Sequence, residues 1–239
     1  MEKFEKSTFI ALISVCAAIS IICDSLVAPL PYSGVWLSWI FISEPITGIL
    51  LGPLAGFLSN LIGVMIGHFI NYIDVYEFLF TLGAPLGAMI SALVFRRRWG
   101  IVLTYYLALF GGFFVAPVSW QLPFWGMWDV YLAFATLLFL VIITSKRKSL
   151  WNINSKKRLI YILCLSAFIG LEADVLFRIF IFVPCQTYKL FYGYGVSELQ
   201  AIWGLGAVET PIKVGLSTII ISIAGPSIID AVRKLKLPV

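Results

Sequence analysis

The sequence predicts an all-α, polytopic transmembrane helix bundle, and three observations predict it. Apolar residues make up 61% of the chain and charged residues only 12%, where a soluble domain carries about 45–50% and about 25%. Mean hydropathy is +0.99. The apolar residues gather into runs long enough to cross a hydrocarbon core about 30 Å thick. No ten-residue alternation of apolar and polar residues suggests a closed barrel, and lipid offers the backbone no other partners, so the runs read as helices. A soluble fold of this composition would need more interior than 239 residues can enclose. The same composition excludes disorder.

The runs lie at about 7–28, 36–52, 54–72, 78–95, 101–118, 130–144, 159–183 and 207–232. They give about eight spans in a single integral membrane domain, 1–239. The first run is too long for a secretory signal and lacks a small-residue cleavage site, so it reads as a membrane helix. Ser43-Glu44-Pro45 resembles the start of the second helix, with Ser43 able to cap and Pro45 tolerated in the first turn. The fifth and sixth runs are short. The segment 100–144 therefore reads as an inserted helical hairpin, fully spanning or partly re-entrant, beside six core helices. On the last two runs Asp174 and Arg178, and Glu209 and Lys213, stand four residues apart with the acid first, the favourable order for an ion pair.

The net charge of +5 takes its meaning from where the bases fall. With the N-terminus taken as cytoplasmic, Lys3, Lys6, Arg96, Arg97, Arg98, Lys146, Arg147, Lys148, Lys156, Lys157, Arg158, Arg233, Lys234 and Lys236 all lie on the cytoplasmic side. Arg178 and Lys213 lie within spans, and Lys189 is the one base left outside. This asymmetry is that of a multi-pass protein of the cell membrane with both termini in the cytoplasm, and it disposes of a nucleic-acid reading. The acids sort the other way. Apart from Glu2, Glu5 and Asp230, they fall in the outer half or outer loops: Asp24, Glu44, Asp74, Glu77, Asp129, Glu172, Asp174, Glu198 and Glu209. Charges inside a membrane cost a few kcal/mol or more each and normally pair or face a wet cavity.

The outer segments 29–35, 71–77, 117–128 and 184–202 are rich in Pro, Tyr, Trp and Gly. They read as an aromatic rim over a site or as an interfacial belt. Small residues recur every fourth position at Gly48, Gly52 and Gly56, at Gly63 and Gly67, and at Gly83 and Gly87 with Ala84, Ala88 and Ala92. Such faces pack a protein's own helices or dock another subunit. Cys16, Cys23, Cys164 and Cys185 form neither a zinc pattern nor a disulfide framework. No metalloprotease, nucleophile-elbow, phosphate-loop or dinucleotide motif is present. His68, the single histidine, reads as a hydrogen-bonded bundle residue. The expectation is a binding protein, not an enzyme, with no cofactor and no metal.

The stretch Ser43-Glu-Pro-Ile-Thr-Gly-Ile-Leu-Leu-Gly-Pro-Leu-Ala-Gly56, the segment Asn60 to Asn71 and then Tyr76-Glu77-Phe-Leu-Phe-Thr-Leu-Gly83-Ala-Pro-Leu-Gly87 resemble the substrate-binding (S) components of energy-coupling factor transporters, the riboflavin type above all. The start of the last run, Glu209-Thr-Pro211-Ile-Lys213-Val-Gly215, is similar to that family's final helix. The likeness covers roughly half the chain. It implies a subunit that captures a vitamin or cofactor precursor outside the cell and works with a transmembrane coupling protein and cytoplasmic ATPases. The family has six helices, so the hairpin would be an addition. Its A-x-x-x-A docking face on the first helix is here only Ser14 and Ala18, with Ala11 a turn earlier.

From the residues themselves, Glu44, Asn71, Glu77, Asp174, Arg178, Glu209 and Lys213 are the expected polar contacts to a small molecule. Trp120, Tyr188 and Trp203 are candidates to stack on a flat ring. Two other classes stay open: a stand-alone secondary transporter, which would need an internal repeat and midplane charge, and a carboxylate-dependent membrane enzyme.

Overall fold

The computed structural model describes residues 6–26, 38–71, 76–147, 151 and 155–234. The outer segment 29–35, Asp74 and the outer ends of the first three expected spans lie outside them. In chain order the helices are α1 (Lys6–Ser25), α2 (Ile40–Leu51), α3 (Pro53–Ile70), α4 (Glu77–Thr81), α5 (Gly83–Phe95), α6 (Trp99–Val115), α7 (Trp128–Lys146), α8 (Lys156–Phe182), α9 (Thr187–Leu190) and α10 (Val196–Lys234). Two 3-10 turns, Pro117–Gln121 and Phe124–Met127, join α6 to α7. Six helical stretches are long and apolar enough to cross a membrane, while α2 and α6 are apolar but shorter. The chain is a multi-pass helical membrane protein. Its exposed faces are those of a lipid-facing bundle: Ile10, Val15, Ile19 and Ile22 on α1, and Leu54, Leu58, Ile62 and Ile66 on α3.

Helices α5 and α8 form the centre, with α2, α3 and α10 packed around them and α1 against α3. The small-residue faces are spent on this packing. A Cβ on Gly48 would strike the carbonyl of Ala88, and one on Gly56 would strike the backbone of Gly48. Ala84, Ala88 and Ala92 are fully buried. Ala11, Ser14 and Ala18, by contrast, lie exposed on α1. Gly52 alone separates α2 from α3, and its φ of 90° suits a residue without a Cβ. A side chain there would also meet the Arg96 guanidinium, and Pro53 opens α3 in the first-turn position that tolerates it.

Three expectations are corrected here. Helix α2 starts at Ile40, so Ser43 and Pro45 sit in its interior, where Ser43 Oγ donates to the Ile40 carbonyl at 3.2 Å. Pro45 has no N–H for the Phe41 carbonyl; the Ser217 hydroxyl of α10 donates to that carbonyl instead. The last helix begins at Val196, well inside the expected outer loop 184–202. Its first turns are held by buried Leu199 and by Trp203, whose Nε1 donates to the Pro123 carbonyl at 2.8 Å. Within α10, Pro211 leaves the Ala207 carbonyl open, and the Trp128 indole fills it at 3.0 Å. Lastly, Glu209 and Lys213 form no ion pair among the described residues. Lys213 instead lines a cavity, and Glu44, Glu172 and Asp129 are its electrostatic neighbours outside that lining.

The hairpin α6–α7 packs against α8. Tyr105 and Tyr106 of α6 donate to the carbonyls of Ala173 and Ile169 at 2.9 and 2.7 Å. These bonds make the hairpin an integral wall of the bundle.

Candidate functional site

A small polar cavity lies near the ends of α1, α3 and α4 and the start of α2, against the last turns of α8 and the middle of α10. Asp24, Ser38, His68, Thr81, Asp174, Arg178 and Lys213 line it, with Ile40, Phe41 and Val64 as its apolar wall. Its volume is about 10 Å³, room for one water-sized group.

One side of the cavity is a hydrogen-bonded relay across three helices. Ser38 Oγ donates to Asp24 Oδ1 at 2.7 Å, and Asp24 Oδ2 meets His68 Nδ1 at 2.7 Å. His68 Nε2 meets Thr81 Oγ1 at 2.9 Å, and Thr81 Oγ1 also reaches the Glu77 carbonyl at 3.0 Å. Thr81 has a single proton to give. When it goes to the Glu77 carbonyl, Thr81 Oγ1 accepts from His68 Nε2.

The opposite side is cationic. Arg178 Nε donates to Asp174 Oδ1 at 2.6 Å, the short-range pair expected from their spacing. The Arg178 terminal nitrogens and the Lys213 ammonium have no hydrogen-bond partner among the described residues. Glu44 and Glu172 are completely buried, and none of their four carboxylate oxygens has a hydrogen bond among the described residues. Both lie within Coulomb range of Lys213. Glycines make the room for these acids. A Cβ on Gly67 would fall on the Asp24 carboxylate, one on Gly83 on Asp174, and one on Gly87 on Glu44.

The arrangement can hold a polar group inside an apolar bundle and offer it donors from two cations. No family model, curated protein or solved structure matches the chain. The geometry therefore carries the reading by itself.

Of the residues singled out in the sequence, Asp174, Arg178 and Lys213 line the cavity and Glu44 stands behind it. Asn71 instead ends α3, its side chain donating to the Gly67 and Ser25 carbonyls. Glu77 accepts from Tyr192 at 2.7 Å, tying α4 to the segment after α9. Glu209 is buried outside the cavity, with one oxygen unbonded. The three aromatic candidates lie elsewhere. Trp120 is 70% exposed, Trp203 stacks on Phe113 at 5.8 Å, and Tyr188 packs edge-on to Phe182. Asp24, Ser38, His68 and Thr81 join the site without having been singled out for it. Their only sequence signal is that Asp24 and His68 sit one turn from the same end of the first and third apolar runs, which cross in the same direction.

Proposed function

We propose that the chain is a membrane-embedded substrate-binding subunit for the uptake of a small water-soluble vitamin or cofactor precursor. It crosses the plasma membrane about eight times with both termini in the cytoplasm. A transmembrane coupling protein and cytoplasmic ATPases supply the energy, and the small-residue face of α1 at Ala11, Ser14 and Ala18 is the docking candidate. The observation that carries this reading is the polar, two-cation cavity within apolar helices, where membrane charge is otherwise too costly to keep; the distribution of bases supports taking its end of the bundle as the outer one. The sequence resemblance described above supports the choice of transporter class.

Native mass spectrometry of the detergent-purified chain tests the proposal. The expected result is about one bound small molecule per chain, lost in Lys213→Met. An empty protein with no thermal shift across a vitamin panel sinks it.

A second reading, a membrane enzyme, has one observation in its favour: the Asp24–His68–Thr81 relay has the connectivity of a hydroxyl activated by an imidazole and a carboxylate. Thr81 is buried and its proton is shared with the Glu77 carbonyl, which argues against a free nucleophile. Labelling of Thr81 by an active-site-directed fluorophosphonate would restore this reading.

A further inference from the structure

We infer that the cavity is built for the carboxylate of its cargo, held between Arg178 and Lys213; the inference rests on the uptake reading of the same site. The donors around the cavity divide into two sets. Those of Ser38, His68 and Thr81 are engaged with Asp24, with one another or with the Glu77 carbonyl. The uncommitted donors all belong to the two cations. Arg178 spends only Nε on Asp174, so the outer edge of its fork stays available, and its side chain keeps 18% of its surface open. Lys213 lines the cavity with three donors and no hydrogen bond among the described residues.

Guanidinium and ammonium groups have nothing to accept with, so their complement is an acceptor. A planar two-oxygen acid group suits the guanidinium fork best. Glu44 and Glu172 do not fill this role. Their oxygens bond nothing among the described residues, so they stand within Coulomb range of Lys213 without occupying its donors. The hydrogen bonds of the cation are thus left for a ligand. The cavity volume of about 10 Å³ admits a head group only after the two long cationic side chains shift, and the rest of the ligand meets the apolar wall of Ile40, Phe41 and Val64.

The test uses the full-length chain in detergent and matched neutral and anionic probes. Acetate and benzoate are expected to raise the unfolding temperature saturably, whereas acetamide, benzamide and benzylamine at the same concentration do not. Lys213→Met and Arg178→Gln are each expected to weaken benzoate at least tenfold. Should Arg178→Gln fail to fold once Asp174 loses its partner, Arg178→Lys keeps the charge, removes the fork and is expected to weaken benzoate as well. Equal shifts from benzamide, or benzoate binding unchanged in Lys213→Met and Arg178→Lys, would overturn the inference. A co-purified vitamin without an acid group would overturn it while leaving the uptake reading intact. Carboxylate binding as described, in a chain that carries no vitamin and responds to none, would sustain the site and sink the uptake reading.

Discussion

Gly48 and Gly111 are the same residue under opposite constraints. A methyl group on Gly48 would land on the backbone of Ala88, which cannot move without separating α2 from α5, whereas nothing lies within 4 Å of the same methyl on Gly111. Gly48→Ala is expected to cost about 1–3 kcal/mol through overpacking. Gly111→Ala is expected to be neutral or stabilising by up to about 1 kcal/mol, because alanine is the better helix former. Urea unfolding in mixed micelles reads both values. At this scale the sequence was legible wherever partners are close along the chain. The Asp174–Arg178 pair followed from its spacing of four. The same spacing misled at Glu209 and Lys213, because Lys213 lines the cavity while Glu209 is buried outside it. The Asp24–His68 contact joins α1 to α3, and no local pattern encodes it.

Helix α2 carries the interior proline Pro45 and α10 carries Pro211 and Pro226; at Pro45 and Pro211 the freed carbonyl is met by a side chain from a different element. Ser217 serves Phe41, and Trp128 serves Ala207. Pro45 and Pro211 are thus points of cross-linking between helices, with the hydrogen bond moved from within an element to between two. Ser217→Ala is expected to cost about 1–2 kcal/mol by leaving a buried carbonyl unpaired. In a Pro45→Ala background the restored N–H of residue 45 takes the carbonyl, so Ser217→Ala is expected to cost much less there. A double-mutant cycle on unfolding free energies measures the difference, and equal costs in both backgrounds would refute the idea. Hydropathy made the helices themselves legible. It missed the first turns of α10 because Ser197, Glu198 and Gln200 make that stretch polar, and a polar helix held by Leu199 and Trp203 looks like a loop when only the sequence is read.

Over the whole molecule, the one-sided distribution of bases leads to an orientation that can be tested directly. In a background whose four cysteines are replaced by alanine, Trp120→Cys is expected to react with a membrane-impermeant maleimide on intact cells. Arg98→Cys is expected to react only after permeabilisation; the reverse pattern would invert the topology. The length of α10, 39 residues in one helix, adds a consequence for how the protein is made. Synthesis runs from the N-terminus, so α10 reaches the bilayer after α1 to α9. Until it arrives, the Phe41 carbonyl has no donor, Trp128 has no Ala207, and Glu44 and Glu172 have no neighbouring ammonium. The helices before it must wait in lipid with an unsealed, acid-bearing interior, and α10 works as a closing stave. A premature stop before Val196 would therefore leave a membrane intermediate destined for proteolysis, and quality control of this protein would be decided as α10 is made.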